Sequence, residues 1–166
     1  MALQEIIAMK INEKAPVIAS GEVEVAADAN IIWEMMATID RWPEWNADVL
    51  SAALQGEIAP GSKFIWKAGR LTITSTILQA DRPSILAWTG NTMGIKAIHI
   101  WQLVERDKKT IVRTEESWEG LLARLLPRLL QTMLKRSIDS GLLYLKVEAE
   151  RRFSFPDRPA SNPSPG

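Results

Sequence analysis

The stretch from Glu119 to Arg152 constrains the fold of this chain more than any other. Apolar side chains recur there at helical spacing, with polar and charged residues between them, so they predict one long amphipathic helix. The stripe consists of Leu122, Leu126, Leu129, Leu130, Met133, Leu134, Ser137, Ile138, Gly141, Leu142 and Leu145. Pro127 interrupts the run, so we expect a short segment over 121–126 and a main helix that begins near Pro127. So long a stripe needs a broad apolar surface to lie on.

The region from Val17 to Trp118 is predicted to supply that surface as a sheet. After a first strand and a helix over 29–39, short stretches of alternating residues are separated by turn residues, as at 60–61 and 81–84. Short turns join antiparallel neighbours. We therefore expect an α+β fold in which about seven antiparallel strands form one curved sheet around the C-terminal helix.

Alternation with period two sorts the strand residues onto two faces of this sheet. With each turn centred on its turn residues, the expected cross-strand pairs are Trp66–Leu71, Ile77–Trp88, Trp88–Ala97 and His99–Glu116. One face then collects Phe64, Trp66, Leu71, Ile73, Ser75, Ile77, Leu86, Trp88, Ala97, His99, Trp101, Thr114, Glu116 and Trp118. Threonine and lysine dominate the opposite face. The aromatic face is expected to meet the long helix.

Composition excludes several classes of function. Twenty basic and twenty acidic residues cancel, so no electrostatic footprint for nucleic acid or for an anionic membrane is evident. The chain has no cysteine and a single histidine, His99, which argues against a disulfide, a thiol nucleophile and a zinc site. We expect no metal and no cofactor. With no membrane-spanning run and no signal peptide, we expect a cytoplasmic protein, either a monomer or a homodimer.

The two ends of the chain are expected to lie outside the main domain, which we place at residues 17–153. Residues 1–16 form an N-terminal arm in which Leu3, Ile6, Ile7 and Ile11 lie near one helical face. This arm either packs on the domain or on a second copy, or is a loosely held extension. Residues 154–166 are rich in proline and are predicted to be disordered.

Several motifs carry a resemblance to a known family. They are Trp33 in the first helix, IDRWPEWNADV at 39–49, GEIAPGSKFIWK at 56–67, LAWTGNTMGIKAIHIWQL at 86–103 and RTEESWEGLLARLL at 113–126. Together they resemble the polyketide cyclase/dehydrase and lipid-transport branch of the START-like (SRPBCC) superfamily, over about Val17 to Arg152. The resemblance implies a helix-grip fold with a deep cavity for apolar or aromatic molecules. Some relatives bind and carry, some cyclise or dehydrate, and some act as co-chaperones or toxin partners.

The candidate site lies between the aromatic face and the helix. Its candidate ligand-binding residues are Trp45, Phe64, Trp66, Ile73, Ile77, Leu86, Trp88, His99, Trp101, Glu116, Trp118, Leu130, Met133, Leu134, Ser137 and Gly141. His99 and Glu116 are the candidate catalytic pair, with His99 as acid/base and Glu116 as its orienting carboxylate. The same pair also fits a satisfied buried contact or a hydrogen bond to a ligand. Burial lowers the pKa of a histidine and a carboxylate raises it, so the net direction stays open.

Three functions remain open at this point. The favoured hypothesis is binding or carriage of a small hydrophobic molecule, because such a cavity needs apolar walls and few polar groups. The alternative is a metal-free cyclase/dehydratase-type enzyme, a lyase or isomerase that uses His99 and Glu116. The second alternative is a protein-interaction module that uses the N-terminal arm or the long helix. No fingerprint of a nucleotide site or of a nucleophile elbow is present.

Overall fold

The computed structural model describes residues 9–156, which form the expected α+β fold. A seven-stranded antiparallel sheet, in the order β1-β7-β6-β5-β4-β3-β2, curves around a long C-terminal helix. The strands are β1 Val17–Val25, β2 Val49–Gln55, β3 Lys63–Ala68, β4 Leu71–Asp81, β5 Ile85–Thr92, β6 Ile95–Arg106 and β7 Lys109–Glu119. The helices are α1 Ala29–Ala37, α2 Leu121–Leu125 and α3 Pro127–Ser154, with a 3₁₀ turn over Ile39–Glu44.

The predicted break in the C-terminal helical region is confirmed. Helix α2 ends at Leu125 and α3 begins at Pro127, where the missing backbone N–H of proline costs no hydrogen bond. Helix α3 ends at Ser154, one residue beyond the expected domain boundary at 153. No helix among residues 9–156 combines the length and apolarity that a membrane span requires.

Close packing joins α3 to the edge strand β1. Gly21 leaves room for the helix, since a Cβ there would lie 2.7 Å from Leu142 Cδ1. The Gln131 side chain accepts a hydrogen bond from the backbone N–H of Ile18 at 3.1 Å and donates to its carbonyl oxygen at 2.6 Å. The helix side chain thus replaces the neighbouring strand that an edge residue lacks.

Two of the four expected cross-strand pairs are confirmed, Ile77–Trp88 and His99–Glu116. The other two are wrong, because Trp66 pairs with Ile73 and Trp88 with His99. The β5–β6 turn is centred one residue later than expected, at Met93 and Gly94, both of which have positive φ as a two-residue turn of this kind requires. Each error shifts the register by two residues, so the assignment of faces survives.

Gly120 connects the last strand to α2 beneath this turn. Its φ is +112°, and a Cβ there would lie 2.1 Å from the carbonyl oxygen of Gly94. Only glycine fits a backbone approach this close.

The described end of the N-terminal arm, residues 9–16, lies on the sheet face that points away from α3. Asn12 donates from its backbone N–H to Ser117 Oγ at 3.1 Å and from its side chain to Glu119 Oε2 at 2.6 Å. Leu3, Ile6 and Ile7 lie outside the described residues, as does most of the expected tail, 157–166.

Candidate functional site

A cavity of about 370 Å³ lies between the concave sheet face and the first turns of α3. This volume is within the usual range for small-molecule sites. We call this cavity the larger lobe. It is lined by Trp66, Ala68, Leu71, Ile73, Trp88, Gly90, Thr92, Met93, Ile95, Ala97, His99, Glu116, Trp118, Leu122, Leu130, Met133 and Ser137. Most of these side chains are apolar, and His99 and Glu116 are the titratable groups among them.

A smaller lobe of about 70 Å³ adjoins the larger one and extends toward the 3₁₀ corner. It is lined by Met36, Trp42, Trp45, Asn46, Asp48, Val49, Trp66, Ala68, Trp88, His99, Trp101, Ser137, Ile138, Gly141 and Leu145. Trp66, Trp88 and His99 border both lobes. Ala68 and Ser137 do so as well, so the two lobes share part of their walls.

The structure brings most of the candidate ligand-binding residues to this cavity. The larger lobe takes Trp66, Ile73, Trp88, His99, Glu116, Trp118, Leu130, Met133 and Ser137, and the smaller lobe takes Trp45, Trp101 and Gly141. Phe64, Ile77, Leu86 and Leu134 line neither lobe and are buried in the packed core. Phe64, for example, packs edge-on against Trp42 and Trp88, with ring centroids 5.5 and 5.9 Å apart.

Several residues that line the cavity were not among the candidate ligand-binding residues chosen from the sequence. Leu71 and Ala97 line the larger lobe and were already assigned to the aromatic face, so the period-two pattern contained the signal that identifies them. Met93 also lines the larger lobe although it occupies a turn, where alternation carries no information.

The tryptophans form a continuous aromatic wall. Trp42 contacts Trp66 and Trp88 with ring centroids 5.7 and 5.4 Å apart, and His99 lies between Trp88 and Trp101 at 4.9 and 5.3 Å. These spacings are typical of favourable aromatic pairs. The wall therefore belongs both to the packed core and to the lining of the cavity.

His99 belongs to a hydrogen-bonded chain that determines which ring nitrogen carries a proton. The Thr114 hydroxyl donates to the carbonyl oxygen of Ile100 at 3.1 Å, and the same hydroxyl oxygen lies 2.8 Å from His99 Nε2. Since the hydroxyl proton points to Ile100, Nε2–H is the donor and Nδ1 is the acceptor of the neutral ring. Nδ1 lies 3.2 Å from Glu116 Oε2, so a protonated Glu116 donates to it.

Burial decides the protonation of this pair. It lowers the pKa of His99 to about 3 and raises the pKa of Glu116 to about 7, because both charged forms are poorly solvated there. Trp118 Nε1 donates to Glu116 Oε1 at 2.7 Å, which lowers the carboxyl pKa by less than burial raises it. Between about pH 3 and pH 7 the pair is therefore neutral, with a proton on Glu116.

Two indole N–H groups at the smaller lobe have no hydrogen-bond partner among the described residues. They belong to Trp45 and Trp101, and both nitrogen atoms are buried. By contrast, Trp42 Nε1 donates to the carbonyl oxygen of Met36 at 3.0 Å, and Trp66 Nε1 donates to Ser75 Oγ at 3.1 Å. Buried indoles usually have a partner, so the smaller lobe has donor capacity to spare.

The position of this chain among known proteins follows from its sequence. A family model described as polyketide cyclase / dehydrase and lipid transport matches residues 16–150. The chain belongs to this family. The match contains every residue that lines the two lobes, and it confirms the resemblance carried by the sequence motifs. No protein with a curated function matches the sequence of this chain significantly.

Solved structures with the same fold include proteins of different kinds. A hypothetical protein from Helicobacter pylori is 16% identical with a TM-score of 0.75, and the alignment covers 90% of this chain and 99% of that one. The Zhui aromatase/cyclase from a Streptomyces species is 17% identical with a TM-score of 0.71, over 81% and 94% of the two chains. A START superfamily protein from Mycobacterium smegmatis is 17% identical with a TM-score of 0.63, over 82% and 97%. At such identities the likeness establishes the helix-grip fold alone.

Proposed function

We propose that this protein binds or carries a small hydrophobic molecule, aromatic or lipid-like, between the sheet and α3. The observation that supports this most is the larger lobe, a cavity of about 370 Å³ with apolar walls and few polar groups. The family description includes lipid transport beside cyclase and dehydrase activities, so it agrees with either role.

The chemistry of the smaller lobe limits the classes of ligand that fit the cavity. The unpartnered indole N–H groups of Trp45 and Trp101 favour a molecule that carries an oxygen acceptor, such as a carbonyl or hydroxyl group. The His99–Glu116 pair adds polarity without net charge between about pH 3 and pH 7. We therefore infer an uncharged amphiphile, whose apolar body fills the larger lobe.

Two measurements test the binding function. Native mass spectrometry of the purified protein, repeated after denaturing extraction, shows whether a discrete small molecule is bound and names its class. Titration with a pyrene-labelled fatty alcohol, an uncharged amphiphile, then compares Ile73→Trp, which fills the larger lobe, with Thr74→Trp, which adds the same side chain to the exposed face of the same strand.

We expect Ile73→Trp to weaken binding of the probe by at least about tenfold, and Thr74→Trp to leave it within about twofold. Equal affinity of the two variants would place the probe outside the cavity. Absence of both a co-purified molecule and probe binding would leave the tryptophans as packing alone, and the binding proposal would be wrong.

A second candidate function, dehydration or cyclisation of the bound molecule, is favoured by one observation. Glu116 lines the larger lobe, and its pKa of about 7 keeps much of it protonated near neutral pH. In this proposal Glu116 is the general acid that protonates a departing hydroxyl group, which leaves as water. The carboxylate so formed then takes the proton from the adjacent carbon as the double bond forms, which restores Glu116, and His99 is the positioning residue. These roles reverse the ones expected from the sequence.

Glu116→Gln separates the two functions. The amide keeps the shape of the side chain and both of its hydrogen bonds but has no acidic proton. With the extracted compound as substrate, an enzyme that depends on this acid loses turnover by about a hundredfold or more, whereas affinity changes little. Undiminished turnover in Glu116→Gln would exclude Glu116 as the acid.

A further inference from the structure

An uncovered apolar surface surrounds the opening of the larger lobe. Leu121, Leu125 and Leu129 are 71%, 67% and 57% exposed, although large apolar side chains usually pack. Met93, on the β5–β6 turn, is 73% exposed and also lines the lobe, as does the half-exposed Met133. A side chain that is both exposed and cavity-lining marks the opening. We call Met93, Leu121, Leu125, Leu126, Leu129 and Met133 the mouth patch.

The charged residues of α2 and of the first turns of α3 are all positive. From Gly120 to Ile138 the charged residues are Arg124, Arg128, Lys135 and Arg136, with no aspartate or glutamate among them. Lys135 pairs with Asp139 at 2.6 Å. Among residues 9–156, Arg124 and Arg128 form no ion pair, and both are exposed. The neutral total of the chain therefore conceals a local cationic excess.

We propose that the mouth patch docks on an anionic lipid bilayer. Leucine and methionine side chains can enter the boundary between head groups and acyl chains, while Arg124 and Arg128 extend their apolar stems and leave their guanidinium groups at the phosphates. Anionic lipids attract each such cation, which matches the absence of acidic residues between Gly120 and Ile138. An acidic protein groove has the same charge but does not require flexible aliphatic side chains around a cavity opening.

Docking in this way places the opening of the larger lobe against the membrane. If the protein carries an apolar molecule, as proposed above, the molecule moves between bilayer and cavity without crossing water. That consequence rests on the proposed function, whereas the docking itself does not. Vesicle binding and ligand binding are therefore measured separately, and Ile73→Trp, which fills the cavity, is expected to retain vesicle binding.

The experiment is sedimentation of the full chain with vesicles of equal parts phosphatidylcholine and phosphatidylglycerol, compared with vesicles of pure phosphatidylcholine. We expect binding to the mixed vesicles at least about tenfold stronger than to the neutral ones. Leu125→Asp with Leu129→Asp should weaken it by about tenfold or more, and Arg124→Glu with Arg128→Glu should remove the preference for anionic lipid.

A matched control lies on the same helix. Leu143 and Val147, also on α3, are 57% and 60% exposed, which is similar to the exposed fraction of Leu129. They line neither lobe. Leu143→Asp with Val147→Asp is expected to bind vesicles within about twofold of the wild type. Circular dichroism confirms that each variant is folded, and serine replaces aspartate in any pair that is not.

Three results would overturn the proposal. They are no binding to the mixed vesicles, equal binding to both vesicle types, and equal loss in the mouth-patch and control variants. Sedimentation equilibrium identifies the other occupant, a second copy of the chain. Self-association that Leu125→Asp with Leu129→Asp abolishes, without vesicle binding by the wild type, assigns the mouth patch to a dimer interface instead.

Discussion

Replacing Glu116 by glutamine tests the protonation of the buried pair directly. The glutamine amide can donate to His99 Nδ1, which lies 3.2 Å from Glu116 Oε2, and its oxygen can accept from Trp118 Nε1 as Glu116 Oε1 does at 2.7 Å. The variant therefore keeps the hydrogen bonds of the protonated wild type. It loses only the ability to ionise.

The size of the effect follows from the pKa of Glu116, which burial raises from 4.5 to about 7. Because the folded-state pKa is the higher one, the contribution of this group to wild-type stability is complete below pH 4.5 and is lost as pH rises to 7. At about 1.4 kcal/mol for each pH unit, the loss is about 3 kcal/mol. Glutamine does not titrate, so the variant gains about that much relative to the wild type over this interval.

His99 contributes with the opposite sign and must be subtracted. Its folded-state pKa is lowered from 6.5 to about 3, so its contribution is complete above pH 6.5 and is lost as pH falls toward 3. Both proteins retain His99, and the difference between them cancels this contribution to first order. Between pH 4.5 and 6.5 the two contributions offset each other in the wild type, whose stability is expected to be nearly constant there.

The assay is urea unfolding of both proteins at half-unit intervals from pH 4.5 to 8.5. We expect the free energy of unfolding of Glu116→Gln, minus that of the wild type, to increase by about 3 kcal/mol up to pH 7 and then to stay level. A difference that does not change with pH would show that Glu116 titrates alike in the folded and unfolded chains. The neutral pair, and the general acid built on it, would then both be wrong.

Three further substitutions test individual contacts by urea unfolding. Thr114→Val removes the acceptor for His99 Nε2–H and should cost about 1–3 kcal/mol, whereas a cost below about 0.5 kcal/mol would mean that the ring has another partner. Gly120→Ala should cost about 3 kcal/mol or more because its Cβ meets the carbonyl of Gly94, whereas Gly94→Ala, in open space, should cost about 1 kcal/mol; equal costs would contradict the close approach. Gly141→Ala should stabilise the protein by about 0.5–1 kcal/mol, since its Cβ would lie 4.0 Å from the nearest side chain, and any loss would indicate a tighter fit.

The architecture was predictable because the period-two alternation of the strands identifies their faces even when the register is wrong by two residues. The expected partners of Trp66 and Trp88 were each displaced by two residues, yet alternation has period two and the aromatic face stayed intact. The break at Pro127 was predictable for another reason, since proline has one compatible place in a helix and that place is its first turn.

The boundary between cavity and core was not predictable in this way. Phe64 and Trp66 share a face of β3, but Phe64 packs between Trp42 and Trp88 while Trp66 borders open space. Alternation identifies the face of a strand, whereas the position of α3 above it decides which residues are covered. The tautomer of His99 was hidden for a similar reason, because it depends on the hydroxyl of Thr114, on the neighbouring strand from His99.

The amphipathic stripe of the C-terminal helical region shows the same limit and explains how the mouth patch was overlooked. A stripe predicts that one side of a helix is removed from water, but it does not say what removes it. Leu134 and Leu145 are fully buried by the rest of the chain, whereas Leu129, on the same expected stripe, is 57% exposed. The net charge of zero was misleading for a related reason. It sums over the whole chain and so does not reveal a segment in which all the charges are positive. Here the apolar stripe continues beyond the core that it covers, and the charged residues next to the uncovered part are positive. Such a surface favours a partner of the opposite charge.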